Sequence, residues 1–294
     1  VHQRKGHLAE AEQVGPTHRR GSEVGERRKP QEESGIKGAS APANVDTPTP
    51  LDNTSVAAAR SKRMSNIFQQ ELARLYSYRF EPRVDYRRRV WRVLIDRFFQ
   101  QFVPETGVLL DLGCGYGEFI NEVKSCTKLG MDLNPDSKTH LRPEVRFFQQ
   151  DCSARWPLAD GELDAVFTSN FLEHLPDRIA LGRTLDEVGR CLKPAGRLIA
   201  LGPNIKFTRG RYWDFLDHHL PLTEASLSEG LLARGFDIER CYARFLPYTM
   251  VGGPQYPAWI ISAYLRLPWL WWLRGAQFLV IARKRIGGLA PAKR

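Results

Sequence analysis

Three glycines alternate behind an acid in Asp111-Leu-Gly113-Cys-Gly115-Tyr-Gly117, and a second acid, Asp132, follows a short apolar run further on. Alternate glycines let a backbone pass close under a ligand and take angles that other residues avoid. A carboxylate at the tip of the next strand can accept both hydroxyl hydrogens of a ribose at once. A second group of reactive side chains is made of histidines: His174 in Phe171-Leu-Glu-His174, and the pair His218-His219 in Tyr212-Trp-Asp-Phe-Leu-Asp-His-His219. Imidazole titrates near neutrality, so each of the three could take a proton from a hydroxyl. Plainer roles stand beside that one: His174 can bond a backbone group at a helix start, and His218 and His219 can hold a loop while Thr223 caps the following helix.

The elements that must position these residues follow from hydrophobic pattern. Val108, Leu109 and Leu110 have no polar alternation, as expected of a strand buried on both faces. The glycine spacing separates two cofactor classes, because G-x-G-x-x-G, the dinucleotide fingerprint, would need its third glycine where this chain has Glu118. After the loop we expect a crossover helix over Glu118–Lys124 and a second strand over Lys128–Pro135 that presents Asp132. Further strands are expected over Glu144–Cys152, from Leu163, after the Lys193-Pro-Ala-Gly196 turn, from Gly235 and over Gln277–Arg283, with a helix over Glu224–Arg234. Ligands of open parallel sheets sit at the carboxyl ends of strands, which makes Ser169, Asn170, Phe171, His174 and Asn204 candidates for lining a site.

Asp111 to Gly117 resembles the first motif of class I S-adenosylmethionine (SAM) dependent methyltransferases, and the later segments match that family in order over residues 75–285. The resemblance implies a doubly wound, Rossmann-like α/β fold with a seven-stranded, mostly parallel sheet whose last strand is antiparallel. It implies SAM as cofactor, with Asp111, Gly113, Cys114, Gly115 and Gly117 forming the loop, Asp132 and Leu133 at the ribose, and Asp151 and Cys152 beside the adenine. Asn170 would line the same site, and Tyr78 and Arg79, from helices that precede the sheet, would reach the methionine carboxylate. His218 and His219 match in position a histidine that lies over the active site in several small-molecule subfamilies. Base methyltransferases of nucleic acids carry a Pro-Pro-aromatic segment where this chain has Ser169-Asn-Phe-Leu-Glu-His174, a departure that argues against a nucleic-acid acceptor.

The resemblance therefore implies methyl transfer to a small-molecule acceptor, most simply a hydroxyl of a sugar or a lipid-linked glycan. An RNA or protein methyltransferase is a second reading. A non-catalytic module that docks to a membrane or partner through 245–273 is a third, and intact Asp111, Gly113, Gly115, Gly117 and Asp132 speak against it.

Bulk properties fit one enzyme domain with polar tails. The chain has 294 residues, 42% of them hydrophobic, and 43 Lys and Arg against 33 Asp and Glu give a net charge of +10, which suits an anionic partner or a solvated basic surface. Residues 1–62 are rich in Gly, Pro, Ser and mixed charge and are expected to be disordered, as are 287–294. Residues 63–104 read as a helical cap. It comprises a helix from Met64 through Tyr76 and an amphipathic one from Asp85 to Phe102 that turns Arg87, Arg88, Arg89, Arg92 and Arg97 outward. Residues 105–286 form the cofactor domain, with an aromatic insert at 245–275 read as a packed lid, a dimer interface or an interfacial belt.

Arg266 and Pro268 interrupt that insert, so no membrane span is expected. Five cysteines form no C-x-x-C pair, which argues for reduced structural thiols and against a zinc site. No apolar core follows a charged start, so we expect a cytoplasmic enzyme, with peripheral contact at the inner membrane as an option. The chain begins with Val, which leaves its natural start open.

Overall fold

The computed structural model describes Arg74, Tyr78, residues 83–248 and residues 253–287. The expected tails, the helix from Met64 and Arg79 lie outside the described residues, apart from Arg74, Tyr78 and Gly287.

Seven strands form one sheet: β1 (Val108–Leu112), β2 (Thr127–Asp132), β3 (Val145–Gln149), β4 (Leu163–Ser169), β5 (Leu192–Pro203), β6 (Phe236–Tyr242) and β7 (Gln277–Lys284). Their spatial order is β3-β2-β1-β4-β5-β7-β6. All neighbours are parallel except those of β7, which runs antiparallel to both β5 and β6. The order reverses between β1 and β4, and the crevice at such a reversal is where ligands of open α/β sheets bind.

Strand alternation divides the apolar side chains between two cores. Leu110, Val166, Leu198 and Val280 point to the face covered by α3 (Arg178–Cys191) and α5 (Glu224–Leu232). Leu109, Phe167, Ile199 and Leu279 point to the face covered by α1 (Val84–Leu94) and by α6 (Ala258–Arg266) and α7 (Pro268–Arg274) of the insert. Each large side chain so buried contributes about 1.5–3 kcal/mol against leaving it in water. The first helix does not stay regular: beyond Leu94 it widens into a π-turn over Ile95–Phe99 and tightens into a 3-10 turn over Gln100–Phe102. The widened turn delivers Ile95, Phe98 and Phe99 together to the second core, where Phe99 meets Trp91, Phe119 and Phe167.

Three local expectations change. Glu118–Lys124 is a succession of turns with bonds of helical spacing from Asn121 N–H to Gly117 O (3.0 Å) and from Val123 N–H to Phe119 O (3.0 Å), but no continuous helix. The Asp111 carboxyl accepts the Ile120 N–H, and Asn121 uses its side chain to bind the His140 carbonyl (2.9 Å) and the Arg142 N–H (2.9 Å), so the segment is tied to its surroundings instead of to itself.

Arg87 is buried, not outward, because it pairs with Glu118 at the exit of the glycine loop. The expected Lys193–Gly196 turn is folded into β5 as a bulge: Leu163 faces Leu192 and Ala165 faces Arg197, leaving the four residues between opposite Asp164. Ala195 takes φ 65° there, and a Cβ on Gly196 would lie 2.9 Å from the Lys193 carbonyl oxygen.

Candidate active site

The loop between β1 and the turn that follows is built as its glycines require. Gly113, Gly115 and Gly117 have φ of 72°, 49° and 72°, in the left-handed region. Gly113 N–H and Cys114 N–H donate to the Met131 carbonyl at 2.8 and 3.1 Å, which holds the loop against the end of β2. Asp132, at that end, is 6% exposed and accepts Gly115 N–H on Oδ2 (2.8 Å) and Asn134 N–H on Oδ1 (2.9 Å). A carboxylate offers about four lone-pair positions, so beyond the N–H groups of Gly115, Asn134 and Leu133 it keeps capacity for a ligand hydroxyl. Burial raises the Asp132 pKa, while the N–H groups of Asn134, Gly115 and Leu133 pull it back. Asp111 lies beneath the loop, pushed up to about 8 by burial and then by the neighbouring Asp132 charge.

The other expected cofactor residues fall into two sets. Cys114 and Cys152 are buried, and burial raises both thiols, Cys152 to about 12; they are packing groups, with Cys152 Sγ 3.5 Å from Thr184 Oγ1. Leu133 is half-buried beside Asp132. Asp151 is exposed just past β3, and its Oδ1 accepts both the N–H and the hydroxyl of Ser153 at 2.8 Å. Asn170 is exposed at the end of β4 with φ 49°, donating through Nδ2 to Ser169 Oγ at 3.0 Å. Tyr78 is 84% exposed.

Across the crevice from the loop, the end of β4 gathers the histidines. Phe171 reaches over Gly113, and the 3-10 turn Leu172–His174 follows at once. His174 Nδ1 lies 2.8 Å from the Asp217 carbonyl and 3.4 Å from its Oδ2. A carbonyl only accepts, so Nδ1 carries the proton and the ring's lone pair is at Nε2. The His218 ring is 4.9 Å from that of His174 and packs on Tyr212 and Phe215. The loop that bears these residues is clamped from beneath, since His219 N–H (2.9 Å) and Leu220 N–H (3.0 Å) both donate to the Glu173 carbonyl. The His219 side chain is exposed.

The structure thus brings His174 and His218 together and leaves His219 facing out on the same loop. It adds Glu173, which sequence reasoning passed over. Its carboxyl is buried, is pushed up to about 8 by burial with a smaller contribution from the Asp217 charge, and sits with the two rings in the one His/Glu group, among the described residues, whose ligand-type atoms lie within 4.8 Å of one another. The signal available was its adjacency to His174. Such a set can relay a proton, and its atom types could also hold a divalent cation.

Asn204 does not face an acceptor. Its amide donates to Glu224 Oε2 (2.5 Å) and the Ala243 carbonyl (2.8 Å), and its oxygen caps α4 (Ile205–Thr208) by accepting Lys206 N–H at 3.2 Å. Thr223 forms a reciprocal capping box with Ser226 at the start of α5.

The cradle fits a nucleoside cofactor: left-handed glycines lie in the loop after β1, and a buried carboxylate, Asp132, stands at the end of β2. A family model described as a methyltransferase domain matches residues 84–240. An uncharacterised protein of Methanocaldococcus jannaschii is 29% identical over 97 residues, a match that spans 33% of this chain and 41% of that protein's length. Among solved structures, the complex of the Haloferax volcanii Trm112 methyltransferase activator contains a chain that superposes with a TM-score of 0.58 at 16% identity, over 76% of this chain and 99% of that one. A SAM-dependent methyltransferase of Thermotoga maritima superposes with a TM-score of 0.53 at 18% identity, over 76% of this chain and all of that one. At these identities the structural likeness is one of fold.

Proposed function

The chain belongs to the methyltransferase-domain family, with S-adenosylmethionine as its cofactor, and on that premise we propose that it methylates a hydroxyl of a sugar or lipid-linked glycan. The observation that carries the acceptor reading is the pairing of His174 with His218 above a buried Glu173, at the carboxyl end of the strand that flanks the glycine loop. A hydroxyl is a poor nucleophile until its proton is taken, whereas a neutral amine needs mainly to be positioned.

Asp132 and the backbone of Gly113–Gly117 would hold the ribose and orient the cofactor, with Leu133, Asp151 and Asn170 at the edges of the same crevice. Bound there, the cofactor would supply an electrophilic sulfonium methyl to which an acceptor oxygen bonds in line as the S–CH3 bond breaks and the neutral thioether leaves. His174, its Nδ1 proton committed to the Asp217 carbonyl, would accept the hydroxyl proton at Nε2. The Asp217 carboxylate 3.4 Å from Nδ1 would stabilise the resulting imidazolium. Phe171, reaching over Gly113, would exclude water from the reacting centre.

The test is methyl transfer from isotopically labelled SAM to a panel of hydroxylated sugars, polyprenyl-linked sugars and amines, with products located by mass spectrometry. O-methyl products whose formation fails in His174→Ala support the reading. Transfer confined to amines, or O-methylation indifferent to both His174 and His218, overturns it.

A further inference from the structure

We propose that α6 and α7 form a docking surface for a bilayer rich in anionic phospholipid. The two short helices are anchored from within. Leu265 and Trp271 are buried in the second core, Trp271 Nε1 donates to the Tyr264 carbonyl (2.8 Å), and the Tyr264 hydroxyl donates to the Phe245 carbonyl (2.6 Å). Arg244 ties the far end by donating to the Gly275 (2.8 Å) and Leu273 (3.2 Å) carbonyls. That anchorage leaves Trp259, Trp269 and Trp272 standing 70%, 62% and 71% exposed, with Leu267 and Leu273 beside them. Exposed tryptophans on a rigid support cost solvation free energy without helping the fold, which marks an interaction surface.

The charge pattern selects the partner. No Asp or Glu follows Glu239 in the sequence, and the segment 245–274 carries only cations, Arg266 and Arg274, each exposed in the last turn of its helix. Arg97 and Arg266, with Asp96, line a shallow concavity of about 470 Å³ beside Trp259, where a phosphodiester would meet guanidinium. Indole rings favour the head-group layer and arginines favour an anionic leaflet, so the two features act together on a lipid surface. A second copy of this chain fits the same surface poorly, because a two-fold axis through it would bring Arg266 and Arg274 against like charges. Among the described residues no helix is long and apolar enough to cross a membrane, so the contact is one that lies on the surface. The proposal stands on α6, α7 and the adjoining Asp96–Arg97 turn, and does not depend on the acceptor being lipid-linked.

The experiment is co-sedimentation of the full chain with vesicles of phosphatidylcholine alone and of phosphatidylcholine mixed with phosphatidylglycerol, with tryptophan emission followed on the same samples. We expect binding to the anionic vesicles with a blue shift, weakening as salt is added. The variant Trp259→Ser/Trp269→Ser/Trp272→Ser should bind at least about tenfold more weakly. Arg266→Gln/Arg274→Gln, which leaves the aromatic surface intact and guards against a folding defect in the first variant, should lose roughly thirty-fold. Equal binding by either variant and the parent, no binding to anionic vesicles, or a parent dimer that the tryptophan variant dissociates in sedimentation velocity would each overturn the proposal. So would an RNA oligonucleotide that binds the parent through these same residues while vesicles do not.

Discussion

Phe171 fills the space that a side chain at Gly113 would need: a Cβ built on Gly113 would lie 2.2 Å from the Phe171 Cγ, and the glycine has φ 72°. The ring that follows β4 thereby packs against the loop that follows β1.

Gly113→Ala therefore suffers twice, from backbone strain of roughly 1–3 kcal/mol and from a ring that must move. Gly161→Ala is the matching control, since Gly161 has φ 67° but nothing within 4 Å of its would-be Cβ. Both substitutions should lower the unfolding midpoint, but only Gly113→Ala should abolish the calorimetric titration with SAM. Retained SAM affinity in Gly113→Ala would mean that the ring does not shape the cradle.

Asp132 holds the loop and, in our reading, the ribose, and the two roles can be separated. Asp132→Ala leaves the Gly115 and Asn134 N–H groups without their acceptor, at about 1–3 kcal/mol each where they remain buried. Asp132→Asn keeps one amide oxygen and should recover part of that stability. Neither can accept from both ribose hydroxyls as a carboxylate does, so SAM affinity should fall about tenfold to a hundredfold in both. Asp132→Asn binding SAM as tightly as the parent would remove the ribose from this carboxylate.

What could be read from the sequence was what repeats or what only glycine can do. The apolar runs gave the strands, the Asp-x-Gly-x-Gly-x-Gly spacing gave the loop, and Asp132 fell at the end of β2 because the run before it stops there. What could not be read were pairings made across the fold. Arg87 looked like one more outward arginine on α1 until Glu118, 31 positions on, proved to be its partner. Glu173 drew no role from its sequence because nothing local says that β5 and the Tyr212–Leu220 loop cover it. Glu118–Lys124 has helix-forming residues, yet Asp111 and His140 compete for its polar groups.

Glu173 should make stability fall with pH across an unusual window. Its pKa is raised from the ordinary 4.5 to about 8, so above pH 4.5 the unfolded chain loses this proton while the folded chain keeps it. The unfolded state then binds fewer protons, and stability declines until the folded carboxyl also ionises near 8. The slope from one group is at most about 1.4 kcal/mol per pH unit. Glu173→Gln has no proton to lose, so urea unfolding at about pH 5 and about pH 8 should show the variant gaining on the parent as pH rises. Parallel curves for the two proteins would mean that the carboxylate is solvated or paired in the folded state.

The three histidines give the sharpest test of the chemistry, because they share two short segments and differ in placement. His174 has its proton fixed on Nδ1 by the Asp217 carbonyl, His218 is buried against it, and His219 is exposed with only its amide committed to Glu173. If His174 takes the acceptor proton, His174→Ala should lower kcat by about a hundredfold to ten-thousandfold with little change in KM for SAM. Asp217 acts on that ring through both its carbonyl and its carboxylate, so Asp217→Asn, which keeps the carbonyl, should move the acidic limb of the kcat–pH profile to lower pH by weakening the imidazolium. His219→Ala should stay within a few-fold of the parent, since its backbone bond survives the substitution. A large loss in His219→Ala together with an active His174→Ala would transfer the base to the exposed histidine and require the loop to turn over when acceptor binds.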